Sequence, residues 1–164
     1  MLRDRNLIPL SRQHQHVLAL CVRIDRASPI AETELAAWQA ELVQQFRSEI
    51  RVHFTAEEQA LFPVARKFSE LIPLVEDLLT DHAALRESFA HAEEQKMSPT
   101  DLFRFAERMS AHIRKEERQL FERMQELMSP GEMTRLGGSV EVALVDAAQA
   151  CTLPANASQR RSRD

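Results

Sequence analysis

The chain has 164 residues, 44% of them hydrophobic, which is enough for one domain with its own core and no need of disulfides. Its formal charge of -4 and its interspersed acidic and basic residues argue against a nucleic-acid surface. No stretch approaches the length of a membrane-spanning helix, and the segment from Met1 to Pro9 offers no apolar signal core, so a soluble cytoplasmic protein with no membrane partner is expected.

Only 3 glycines and long periodic runs of Leu, Ala, Glu, Arg and Gln predict an all-helical fold. A first helix is expected from about Leu10 to Arg26, opened near Ser11 and stopped around Ser28-Pro29. A second runs from about Glu32 to Leu61, with Pro63 ending or kinking it. The third spans roughly Ser69 to Glu94 and takes Pro73 in its first turn. Ser98-Pro99 is a cap and first-turn signature for a fourth helix reaching about Met128. Ser129-Pro130-Gly131-Glu132 repeats that signature with Glu at the capping-box position, and predicts a short fifth helix interrupted at Gly137-Gly138. Residues 1–150 then form one domain and 151–164 a disordered tail. Four long helices with short connections pack most simply as an up-down-up-down antiparallel four-helix bundle.

Within the second helix stands His53-Phe-Thr-Ala-Glu57-Glu58, and within the fourth His112-Ile-Arg-Lys-Glu116-Glu117. Residues i and i+4 share one face of a helix, so each copy presents an imidazole beside a carboxylate. Both pairs lie on apolar stripes: Trp38, Leu42, Phe46, Ile50 and Leu61 accompany the first, and Leu102, Phe105, Met109 and Leu120 the second. A carboxylate aimed into a core must be paired, neutralised or bound to a metal. The third helix carries His82 on the stripe Leu71, Val75, Leu78, Leu85 and Phe89. The first offers His14 and His16, and at 100° per residue its apolar centre lies about 50° from His14 and about 110° from His16. His14 is the inward one.

His91, nine residues beyond His82, falls on the opposite face. Glu58 and Glu117, about 100° around from the inward glutamates, either orient histidines or are solvated. Cys21 and Cys151 lack any paired-ligand spacing and read as ordinary thiols.

Four histidines and two carboxylates without a thiolate suit iron, manganese or zinc. They outnumber the ligands of one tetrahedral zinc and suit two ions about 3.5 to 4 Å apart with bridging carboxylates. The Glu-x-x-His signature of ferritin-like bundles and the HExxH of zinc proteases are absent.

The series His14, His53-x-x-x-Glu57, His82, His112-x-x-x-Glu116, over about residues 8 to 128, resembles the hemerythrin-like HHE cation-binding family. The resemblance implies a four-helix bundle around two carboxylate-bridged Fe ions with an oxo or hydroxo bridge. His14, His53, Glu57, His82, His112 and Glu116 would be the metal ligands. Leu78 and Arg86 flank His82 at four residues, where the oxygen-carrying hemerythrins place a further histidine. In this respect the series is more similar to the bacterial iron–sulfur-cluster repair proteins and the eukaryotic F-box iron sensor. The implied partner is a small diatomic or peroxide ligand, bound or sensed, or iron itself. The alternative is a di-iron enzyme that reduces nitric oxide or peroxide, or a supplier of iron for cluster repair.

Overall fold

The structure, a computed structural model, describes residues 2–152. Five helices follow one another: α1 is Ile8–Arg26, α2 covers 35–65, α3 is Ile72–Glu93, α4 covers 99–127 and α5 is Pro130–Thr152. Short 3-10 turns, Glu32–Glu34 and Ser69–Leu71, lead into α2 and α3. The first four helices form the antiparallel up-down-up-down bundle, and α5 packs along α2 outside it. Among the described residues no helix is long and apolar enough to cross a membrane.

Helix ends follow local chemistry. Ser98 Oγ accepts from Asp101 N–H at 3.2 Å while the Asp101 carboxylate accepts from Ser98 N–H at 2.9 Å, a complete capping box ahead of Pro99. Ser129 and Glu132 build the same exchange before α5. α3 ends through Gln95 in the left-handed region (φ 56), which lets Lys96 N–H reach back to His91 C=O at 2.9 Å. Buried Gln39 on α2 then accepts from Met97 N–H at 2.9 Å and fixes the α3–α4 connection to the bundle.

Three expectations about the helices are revised. α1 begins at Ile8, because Pro9 occupies its first turn, where a missing N–H costs nothing. α2 continues past Pro63 to Ala65: the wide π-turn Glu57–Leu61 precedes it, so the proline takes a first-turn position in the segment Phe62–Ala65. The fifth helix is neither short nor interrupted, running 23 residues through Gly137-Gly138. At Gly137 an added Cβ would lie 2.7 Å from Asn6 Cβ, so this glycine admits the segment before α1 against the helix. The tail expected from residue 151 falls, beyond the end of α5 at Thr152, outside the described residues.

The core is divided along the bundle axis. One apolar cluster gathers Leu7, Leu10, Leu61, Phe62, Leu78, Phe121 and Met124 under α5. A second gathers Val17, Cys21, Ile24, Leu42, Phe54, Phe89 and Phe105 at the other end. Between them lies a layer holding His14, His53, Glu57, His82, His112 and Glu116, all buried. Apolar walls on both sides keep that layer at low dielectric, so charges inside it interact strongly.

Candidate metal centre

All six inward residues meet in this layer. They form two overlapping groups, His14–His53–Glu57–Glu116 and His82–His112–Glu57–Glu116, and within each group one ligand atom per residue lies within 4.8 Å of the others. Glu57 divides its oxygens between the groups: Oε1 is 3.1 Å from His53 Nε2, and Oε2 is 3.3 Å from His82 Nε2. Glu116 Oε2 lies 3.1 Å from His14 Nε2 and 3.3 Å from His112 Nε2. The two carboxylates therefore stand between two imidazole pairs, as bridges between two ions would.

Wide turns help to aim them. Glu57 and Glu116 each open a π-turn, Glu57–Leu61 and Glu116–Leu120, and a third, Phe46–Ile50, precedes His53 by one turn. Each extra residue rotates the helix beyond it by about 100° relative to a regular helix, a device frequent at functional sites. Trp38 and Phe46, expected on the buried stripe, are only half-buried.

The histidines are held from behind by residues of neighbouring helices. Glu58 Oε1 lies 2.7 Å from His82 Nδ1, and Arg86 donates to the same oxygen at 2.7 Å. Glu117 Oε1 lies 2.7 Å from His14 Nδ1, while Arg3 donates to Glu117 Oε2 at 2.6 Å. Of the two roles open to Glu58 and Glu117, the structure selects the orienting one. Gln13 Oε1 stands 2.8 Å from His53 Nδ1, and Asp81 Oδ2 stands 3.6 Å from His112 Nδ1, itself gripped by Lys115 at 2.5 Å. Each supporting residue adjoins a member of the cluster in sequence: Gln13 precedes His14, Asp81 precedes His82, and Glu58 and Glu117 come directly after the inward glutamates. Sequence reasoning missed Gln13 and Asp81, whose only signal is that adjacency. Phe54 stacks on His82 with centroids 3.8 Å apart, and Phe121 stacks on His14 at 5.7 Å.

Without a cation the layer is electrostatically tense. Both oxygens of Glu57 and of Glu116, His82 Nε2 and both ring nitrogens of His112 are buried and find no hydrogen-bond partner among the described residues. So many convergent orphan groups are costly in a core unless something binds them all. Burial alone would lower the His82 pKa, but the Glu57 and Glu58 carboxylates overcome it and hold the imidazole up to about 9. For Glu57, burial opposes ionisation, yet His53, with His14 and His82, keeps the carboxyl well below its usual range. Burial likewise works against Glu117, which His14, Ser11 and Arg3 hold down to about 2. The donor set of imidazole and carboxylate, with orphaned atoms facing one another, fits a bound metal cation.

The remaining candidates stand apart. His16 is exposed and pairs with Glu49 at 2.9 Å, and His91 is exposed on α3. Cys21 is a buried free thiol that burial pushes up to about 11, the behaviour of an inert core residue. The side chain of Cys151 lies outside the described residues.

Fold and site together define a helical-bundle protein whose core is built to hold cations. Residues 9–124 match the hemerythrin HHE cation binding domain. The chain belongs to that family and is a cation-binding domain. No curated protein and no solved structure matches it.

Proposed function

We propose that the protein is a cytoplasmic non-heme di-iron protein that binds or senses a small ligand, with dioxygen, nitric oxide and peroxide as the candidates. The observation that supports this most is the sharing of Glu57 and Glu116, each 0% exposed, between two histidine pairs. A single ion would leave one of the two histidine pairs orphaned. Bound iron would supply redox-active Lewis acidity to a ligand that reaches it.

The surroundings of the site limit the size of that ligand. A small cavity of about 10 Å³, the room for the centre of one water-sized sphere, lies against His14, His53 and His112. Val17, Ile50, Phe54, Met109 and Ile113 give it an apolar wall. With an apolar wall and room of this size, the site suits a ligand of one or two heavy atoms. A metabolite with a carbon skeleton would need the helices to part.

The test is iron analysis with an optical spectrum, then anaerobic titration of the reduced protein with nitric oxide, read by electron paramagnetic resonance. Two irons per chain and a nitrosyl signal are expected. Val17→Leu, which fills the cavity, should retain both irons and weaken nitric oxide binding. One ion per chain, or unchanged binding in Val17→Leu, would overturn the reading. Continuous consumption of nitric oxide or peroxide with an electron donor would identify an enzyme instead of a sensor.

A further inference from the structure

On the dinuclear reading, we infer that the two metal positions are unequal: the His82–His112 position fills first and retains its ion, and the His14–His53 position is the exchangeable one. The six ligands fall into two matching groups, yet His14 Nε2 and His53 Nε2 lie 3.0 Å apart while His82 Nε2 and His112 Nε2 find no partner among the described residues, and a further asymmetry lies in what stands behind them.

The partners of the Nδ1 atoms differ between the positions. Both histidines of the His82–His112 position face carboxylates, Glu58 at 2.7 Å and Asp81 at 3.6 Å. In the other position, His14 faces Glu117 at 2.7 Å, but His53 faces the neutral amide oxygen of Gln13 at 2.8 Å. An anion behind an imidazole raises the basicity of its metal-binding nitrogen more than an amide does. At 3.6 Å Asp81 acts through its field and not through a hydrogen bond.

The anchoring of those partners differs in the same sense. Glu58 is held by Arg86, which sits mid-way along α3 and lies over the Phe54 ring at 5.4 Å. Asp81 is held by Lys115 of α4. Glu117, in contrast, is held by Arg3, from the segment ahead of α1, which also donates to the Glu117 C=O at 2.6 Å and to Gln125 at 3.0 Å and lies over the Phe121 ring at 5.0 Å. The stretch ahead of α1 is not helical, and such stretches open at a lower free-energy cost than helix interiors, so the support behind His14 is released most readily.

Access points the same way. His14 and His53 are 3% and 5% exposed, against 0% and 1% for His82 and His112. The apolar cavity reaches both histidines of the first pair but only His112 of the second. Gln13, at the rim of that cavity, is half-exposed. The ion of the first position would leave past His53, the most exposed of the four histidines, and Gln13.

The experiment is titration of the chelator-treated full chain with Zn(II), tracking the ring Cε1–H signals of its histidines by NMR, beside competition measurements of affinity. The first equivalent should move His82 and His112, and the second His14 and His53. The two dissociation constants should differ by about ten-fold or more, the usual scale of an outer-shell change. Gln13→Glu, which is isosteric, should tighten the second step by about ten-fold and leave the first where it was. Asp81→Asn should weaken the first. Four histidines shifting together in one step, His14 and His53 shifting first, or a gap indifferent to Gln13→Glu would each overturn the inference while leaving two ions bound. Failure to take up a second ion at all would sink the dinuclear reading and the inference with it.

Discussion

Raising the pH should loosen the metal-free protein, and the structure sets how much. His82 sits between Glu57 and Glu58, and although burial opposes its protonation, the two carboxylates raise its pKa from 6.5 to about 9. A group whose pKa is higher in the folded state binds its proton more tightly there, so its stabilisation is complete below the unfolded value and lost as pH rises through the folded one. The window is therefore 6.5 to about 9, and a rise of that size is worth about 3 kcal/mol. His14, raised in the same direction against its burial by Glu116, Glu117 and Glu57, adds to the loss. For a domain of this size that is a fall in Tm of about 10 °C. A bound cation replaces those protons, so the loaded protein should lack this slope, and its metal affinity should climb over the same window. The assay is urea unfolding at steps between pH 6.5 and about 9, with and without metal. A flat profile for the metal-free chain, or equal slopes for both forms, would show that His82 is not protonated between its carboxylates and refute the reasoning.

Two further outcomes can be checked by substitution. Gly138 has open space around it, so Gly138→Ala should stabilise α5 by about 0.5–1 kcal/mol in thermal unfolding, whereas Gly137→Ala drives a methyl into Asn6 and should destabilise. Stabilisation by both would mean that the segment before α1 does not rest on α5. His14→Ala should bring metal content below two per chain while His16→Ala, on an exposed pair with Glu49, keeps it. Equal losses would put the inward face of α1 elsewhere.

The sequence by itself determined what depends on a single helix. Spacing of three and four residues placed His53 with Glu57 and His112 with Glu116 on buried faces, and angle alone separated His14 from His16, because side chains on one helix keep a fixed angular relation. Ser98 and Ser129 announced their capping boxes for the same local reason. Only the tertiary structure decided what lies between helices. That Glu58 backs His82 and Glu117 backs His14, while Gln13 and Asp81 face the remaining imidazoles, depends on the register and rotation of neighbouring helices, which no periodicity encodes. The same holds for Gly137. Taken along the chain alone, two adjacent glycines break a helix. In the fold, one of them is the gap into which Asn6 fits, and the helix runs on because packing along α2 outweighs a propensity cost of about 1 kcal/mol per glycine.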